Sequence, residues 1–116
     1  MPEIAQGTIV VARVCDPQGK NPKLRPLVLV DATAEMEQAE SLAAVAITSR
    51  FQLSIAHDEV LLPWHAQGIA RTGLTKPSVA KCGWQLRISK SDIVERKGFV
   101  PVPHLRRVLE IISRLG

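Results

Sequence analysis

The clearest pattern along the chain is a strict alternation of apolar and polar residues over positions 84–90. Successive side chains of a β-strand point to opposite faces, so Trp84, Leu86 and Ile88 are predicted to share one face of a strand. Four further segments are rich in β-branched or aliphatic residues and are bounded by glycine, proline or acidic residues. These segments predict strands at residues 7–14, 27–31, 42–49 and 59–63.

The C-terminal segment follows a helical period instead. Apolar residues recur there at the spacing of one helical face, which predicts an amphipathic helix over residues 103–115. The apolar positions are Leu105, Val108, Leu109, Ile112 and Leu115. Several short strands followed by one such helix predict a mainly β (α+β) fold, in which the helix caps a small barrel or curled sheet.

Turn-forming residues separate the predicted strands. Residues 15–23 and 64–77 contain glycines, prolines and polar residues and are predicted to be loops, and residues 33–41 predict a polar loop with room for one helical turn. Turns are also expected at residues 91–92 and 97–98. The strand at 27–31 is expected to be buried on both faces, and Pro26 is expected to open it, because proline interrupts the ladder of a central strand.

Length and composition limit the kind of protein this is. The 116 residues, 46% of them hydrophobic, predict a single domain over residues 1–116. No apolar run approaches the ~20 residues that cross a bilayer, and Glu3 stands where a signal peptide carries basic residues. Cys15 and Cys82 form no CxxC pattern and are expected to be reduced, packed thiols. We therefore expect a cytoplasmic protein without membrane association.

The net charge and the sequence motifs exclude only a few classes of partner and active site. The formal net charge of +4 permits an acidic partner such as RNA, DNA or an acidic protein segment. The chain has no P-loop, GxGxxG, HExxH or GxSxG motif. His57, His65 and His104 are scattered, so we expect no metal site and no cofactor.

The order of several short motifs nevertheless resembles one family. Gly7 heads the first strand, Asp16-Pro17 begins a basic loop, and Arg25-Pro26 leads into an apolar strand. The next strand ends in Ile47-Thr48-Ser49, and residues 73–79 precede the last predicted strand. In this order and spacing, over almost the whole chain, the sequence resembles the MazF/PemK-like toxins of type II toxin–antitoxin modules.

That resemblance implies a fold and a function. The implied fold is an SH3-like barrel of about five to seven short strands with a C-terminal helix, usually a homodimer. The implied activity is metal-independent endoribonuclease cleavage of single-stranded RNA, mRNA in particular, inhibited by a cognate antitoxin. The resemblance also assigns the catalytic roles to Arg25 and Thr48. The family often has an aromatic residue near the end of the first strand, where this chain has Arg13-Val14-Cys15.

The two residue types suit cleavage by the RNA's own 2′-hydroxyl. Negative charge gathers on the phosphoryl oxygens in the transition state, and the guanidinium of Arg25 can neutralise it. Thr48 offers a hydroxyl that can donate to a phosphoryl oxygen. Ser49 follows directly, and strand alternation sends it to the opposite face unless the strand has ended.

Other residues are candidates for holding RNA. Lysine and arginine side chains can contact the backbone, and an exposed tryptophan can stack on a base. The RNA-binding candidates are Lys20, Lys23, Ser49, Arg50, Trp64 and Lys76. Trp84 is expected to lie in the core instead.

The residues leave three alternatives open. A non-catalytic SH3-like module that binds a peptide or protein fits the mild charge and the few aromatic residues equally well. A degenerate, inactive copy of the toxin fits the departure near the end of the first strand. A toxin that acts on a topoisomerase is a third option, against which the pairing of an arginine with a hydroxyl argues.

Overall fold

The strands follow the apolar segments closely. The computed structural model describes residues 4–52 and 54–115, so the first three residues, on which the signal-peptide prediction partly rests, lie outside it. The strands are β1 (Thr8–Val14), β2 (Lys23–Leu29), β3 (Ser41–Thr48), β4 (Glu59–Leu62), β5 (Ser78–Ser89) and β6 (Ile93–Phe99). The helices are α1 (Thr33–Met36) and α2 (Val102–Leu115), and a 3-10 turn at Lys90–Asp92 joins β5 to β6.

All strand pairs are antiparallel, in the order β4-β5-β3-β2-β1-β6. The edges of this six-stranded sheet are β4 and β6. The loop that follows β4 lies against the end of β6, where the backbone N–H of Phe99 donates to the carbonyl of Arg71 at 3.0 Å. The predicted mainly β fold with a C-terminal helix is confirmed, and the curled sheet is compatible with the predicted SH3-like barrel.

Each face of the sheet carries its own apolar core. On one face, Val108 and Ile111 of α2 pack over residues that include Ile9, Val28 and Val45. On the other face, a second cluster includes Val10, Ala12, Leu27, Leu29, Met36, Leu42, Ala44, Ala46 and Ile88. Leu27, Val28 and Leu29 are fully buried, which confirms the prediction of a strand buried on both faces.

The strand at Pro26 differs from its prediction. Strand β2 begins at Lys23, so Pro26 lies inside it and pairs with Val11 of β1. Pairing between β2 and β3 begins only at Leu27. Pro26 is therefore tolerated because the strand has a single paired neighbour at that point.

Strand β6 was not predicted, and the turn predicted at residues 97–98 is wrong. Gly98 lies within β6, where an added Cβ would collide with the backbone of Arg71 and Thr72. The glycine thus permits close contact with the loop and does not mark a turn. The long strand β5 also begins earlier than predicted, at Ser78, because its first half pairs with β4 as well as β3.

Two smaller expectations are corrected. The buried face of α2 includes Ile111, whereas Leu115 is 46% exposed at the helix end. Both cysteines are free, but only Cys82 is buried, and Cys15 is exposed on the loop after β1. Burial raises the pKa of the Cys82 thiol to about 11, since the charged thiolate is poorly solvated there.

Candidate active site

Divergence of β2 and β3 opens a groove. The two strands pair over three positions only, from Leu27 opposite Ala46 to Leu29 opposite Ala44. Beyond Leu27 they separate, since β2 continues beside β1 and β3 continues beside β5. A cavity of about 770 Å³, here called the first groove, lies at this separation. It is lined by parts of the β1–β2 loop, β2, the end of β3, the loop before β5, two residues of β5 and one residue of β6.

Arg25 and Thr48 meet in the first groove. Both residues line it, although 23 positions separate them in the sequence. Continuing the β2–β3 register two residues beyond Leu27 and Ala46 puts Arg25 across from Thr48 on the same face of the sheet. The strands have parted here, and the first groove lies at the separation.

The guanidinium of Arg25 is held from three sides. Its Nε donates to the carbonyl of Val14 at 3.4 Å, and its Nη2 donates to the carbonyl of Asn21 at 3.3 Å. Its Cζ lies 5.1 Å from the ring centroid of Trp84, within the range of a cation–π contact. Among the described residues Nη1 has no hydrogen-bond partner, so it is free to donate to an anion.

The loop between β1 and β2 supports this arrangement through Asp16. Oxygen Oδ1 of Asp16 accepts from the backbone N–H groups of Gln18 at 3.1 Å and Lys20 at 2.8 Å. Oxygen Oδ2 accepts from the side-chain amide of Asn21 at 2.7 Å. These bonds, led by those from Lys20 and Asn21, lower the pKa of Asp16. Asp16 thereby orders the loop that presents the Asn21 carbonyl to Arg25.

Thr48 and Ser49 both reach the first groove. The hydroxyl oxygen of Thr48 accepts from the backbone N–H of Arg50 at 3.0 Å, which leaves its proton available for donation. Strand β3 ends at Thr48, so alternation no longer governs Ser49, and Ser49 lines the groove beside its neighbour.

The first groove is strongly basic. Among its lining residues the five cations are Lys23, Arg25, Arg50, Lys76 and Lys97, and the one carboxylate is Asp16. Of the six RNA-binding candidates, four line the groove: Lys23, Ser49, Arg50 and Lys76. The other two, Lys20 and Trp64, are exposed residues outside its lining.

Lys97 and Trp84 are two of the lining residues that the sequence did not predict for the site. Lys97 was interpreted as part of a turn, but it lies in β6 and faces the groove. Trp84 was expected in the core, and it does pack against the second cluster, yet it is only half-buried and lines the groove. The alternating pattern around Trp84 fixes its face but does not show where the sheet opens.

A second groove of about 730 Å³ also includes Trp84 in its lining. Its charged lining residues are balanced, with Arg13, Lys81 and Arg87 against Asp16, Asp58 and Asp92. Lys81 bonds to Asp58 at 3.2 Å and to Glu59 at 3.5 Å. Burial acts to lower the pKa of Lys81, but the two carboxylates outweigh it and raise that pKa.

The described residues contain neither a metal-binding cluster nor a membrane-spanning helix. Across residues 4–52 and 54–115, His, Cys, Asp and Glu form no group of three that could hold a metal ion. None of the helices in those ranges is long and apolar enough to cross a membrane.

Several solved structures share this fold. No protein-family model and no curated protein matches the sequence. MazF from Deinococcus radiodurans superposes with a TM-score of 0.76 at 20% identity, covering 99% of this chain and 97% of that one. The Mycobacterium tuberculosis toxin MazF-mt6 gives 0.71 at 18% identity, covering 92% and 93% of the two chains.

A third structure is an endoribonuclease in complex with its cognate antitoxin from a mycobacterial species. It superposes with a TM-score of 0.71 at 12% identity over 96% of this chain and 92% of that one. At such low sequence identities the structural similarity establishes the fold, but it does not establish the activity. The chain has the fold of the MazF toxin structures.

Proposed function

We propose that this chain is a single-domain, cytoplasmic toxin of a type II toxin–antitoxin module, of the MazF/PemK-like family. Its activity is metal-independent endoribonuclease cleavage of single-stranded RNA, and mRNA is the target. The observation that carries the proposal is the meeting of Arg25 and Thr48 in one basic groove. The fold shared with MazF structures supports it, because the groove lies where this fold separates two central strands.

The chemistry follows from the two side chains. The 2′-hydroxyl of the RNA gives up its proton to solvent water as its oxygen forms a bond to the adjacent phosphorus, and the bond from phosphorus to the 5′-oxygen breaks as that oxygen takes up a proton from water. Charge on the phosphoryl oxygens rises during this step. Arg25 stabilises that charge through its free Nη1, and the hydroxyl of Thr48 donates to a second oxygen.

Single-stranded RNA suits the first groove. Five cations along a cavity of about 770 Å³ favour a flexible polyanion, and Lys23, Arg50, Lys76 and Lys97 surround the pair of catalytic residues. Ser49 adds a hydroxyl at the same place. Lys20 and Trp64 lie outside the groove lining, so this proposal assigns the RNA contacts to the other four candidates.

The same groove is the proposed binding site of the antitoxin. An acidic and hydrophobic segment that folds on binding would neutralise the cations and exclude RNA. A structure with this fold has been solved in complex with its cognate antitoxin. We also propose a homodimer, since the edge strands β4 and β6 leave backbone groups to be covered. Light scattering that gives a monomer mass at micromolar concentration would contradict the dimer.

An assay in EDTA tests the proposed activity. Purified protein is incubated with single-stranded RNA, and the ends of the fragments are analysed. We expect cleavage that leaves 2′,3′-cyclic phosphate ends and that is lost in Arg25→Ala and Thr48→Ala. RNA that stays intact at high protein concentration would contradict the proposal and favour a non-catalytic interaction module.

A further inference from the structure

Trp84 lies where the two grooves meet. It lines both the first groove and the second groove, and its exposure is intermediate. The chain has no tyrosine, and the other described aromatic residues, Phe51, Trp64 and Phe99, line neither groove. Any stacking between a nucleobase and an aromatic ring in these grooves therefore involves Trp84.

A bulge in β5 presents this ring. The register between β3 and β5 shifts from Val45 opposite Gln85 to Ala46 opposite Lys81, which leaves Cys82, Gly83 and Trp84 without partners on β3. Bulges bend a strand and redirect its side chains. The ring thus reaches across the face of the sheet, and its centroid lies 5.1 Å from Cζ of Arg25.

Contacts with Asp58 stabilise the bulge in β5. The backbone N–H of Cys82 donates to the carbonyl of Asp58 at 2.8 Å, and the carboxylate of Asp58 bonds to Lys81 at 3.2 Å. Gly83 lies so close to that carboxylate that an added Cβ would meet Oδ2 of Asp58 at 2.7 Å. Trp84 is consequently held on a fixed support beside a groove that can admit a ligand.

Charge separates the uses of the two grooves. Five cations and one carboxylate in the first groove suit phosphates, whereas three cations and three carboxylates in the second groove offer a phosphate no net attraction. A nucleobase is uncharged, so it does not need a surplus of cations. It gains binding energy by stacking on an aromatic side chain. The second groove, at about 730 Å³, has room for one.

We propose that Trp84 is the stacking platform for the base of a nucleotide next to the cleaved phosphate, with that base directed into the second groove. The inference rests on the proposed function, since it takes the scissile phosphate to lie at Arg25. Trp84 binds the base on its ring and, through the cation–π contact, also positions the guanidinium of Arg25.

Tryptophan fluorescence tests the stacking directly. The chain has two tryptophans, so Trp64→Phe leaves Trp84 as the sole reporter, and Trp84→Phe leaves Trp64. The ligands are a pool of random-sequence 2′-O-methyl RNA decamers, which cannot be cleaved, and an abasic decamer of equal charge. Saturation is followed independently by the anisotropy of a labelled decamer.

We expect the base-containing pool to quench Trp84 emission in Trp64→Phe, and the abasic decamer to bind without quenching. Trp64 emission in Trp84→Phe should stay unchanged. Unchanged Trp84 emission at saturation overturns the inference and leaves the nuclease proposal standing. Failure of both decamers to bind, together with intact RNA in the EDTA assay, overturns both.

Steady-state kinetics provides a second readout. Trp84→Leu keeps apolar bulk but removes the ring, and we expect it to raise KM by about 5- to 150-fold, the range for one lost base stack. Trp84→Phe keeps a ring and should restore most of that loss, while Trp64→Leu should leave KM unchanged. Equal unfolding midpoints would show that the variants are folded. A wild-type KM in Trp84→Leu contradicts the inference.

Discussion

The first and second grooves share Asp16, Pro17 and Trp84 but differ in the balance of their charges. In the first groove the cations have almost no carboxylates to oppose them, and a guanidinium and a hydroxyl from different strands face the same space. In the second groove three cations stand against three carboxylates, and Lys81 is bonded to Asp58 at 3.2 Å. Unpaired cations are available to phosphates, while paired ones mainly hold the wall of the cavity.

The comparison also shows how one fold supplies two environments. The first groove opens because β2 and β3 part beyond Leu27, whereas the second groove borders the bulge that carries Trp84 in β5. Strand divergence exposes polar strand ends, and a bulge redirects a single side chain. Substitutions in the two places should therefore have different consequences.

The largest expected effect comes from the arginines of the two grooves. Arg25→Ala should lower the rate of RNA cleavage by about 10²- to 10³-fold, since it removes charge stabilisation in the transition state. Arg13→Ala, in the second groove, is the matched control and should lower it by less than about fivefold. Single-turnover rates measure both. Equal losses in the two variants would erase the functional distinction between the grooves.

A smaller effect is expected from the support of Trp84. Gly83→Ala places a Cβ within 2.7 Å of Oδ2 of Asp58, so that carboxylate must shift, and we expect the free energy of unfolding to fall by about 1 kcal/mol. Asp58→Ala in the same chain removes the obstructing carboxylate, and the double variant should lose less than the sum of the single losses. Urea unfolding of the four proteins provides the values. Strict additivity would mean that the contact does not constrain the bulge.

The salt dependence of RNA binding should change at Lys76 and not at Lys20. Lys76 lines the first groove, whereas Lys20 lies outside its lining. Lys76→Gln should reduce the slope of log affinity against log salt concentration by about 0.7, the value for one phosphate contact on a single strand. Lys20→Gln should leave the slope nearly unchanged. A larger change in Lys20→Gln would place the RNA over the loop instead.

The smallest expected effect concerns pH and Asp16. Hydrogen bonds from Lys20 and Asn21 lower the pKa of this carboxyl below its usual 3.8, so the folded state favours its charged form. The resulting stability is fully present above pH 3.8 and is lost as the pH falls through the lower folded value. Asp16→Asn should therefore be less stable than wild type at neutral pH, with a difference that shrinks in acid. A difference independent of pH would contradict this assignment.

Local patterns in the sequence predicted most of the strands and the terminal helix. Period-two alternation placed Trp84, Leu86 and Ile88 on one face, and all three contribute to the second core. Strand β6 escaped prediction because Gly98, a local turn signal, instead serves a contact with Arg71 and Thr72. Because that contact joins residues far apart in the chain, a local sequence pattern cannot predict it.

The candidate site was predictable to a similar degree. The resemblance singled out Arg25 and Thr48, and the structure brings both to one groove. The proximity of Trp84 to Arg25 depends on a register shift between β3 and β5, which the alternation of side chains cannot reveal. Lys97 reached the groove through the strand that was missed.

A double-mutant cycle on Arg25 and Thr48 tests the central claim most directly. If both side chains act on one phosphate in the same transition state, removing the second after the first should cost much less than removing it from wild type. Single-turnover cleavage rates of wild type, Arg25→Ala, Thr48→Ala and the double variant provide the coupling. We predict that the double variant cleaves RNA about as slowly as Arg25→Ala alone. Rate losses that multiply independently would show that the two residues do not work on the same phosphate.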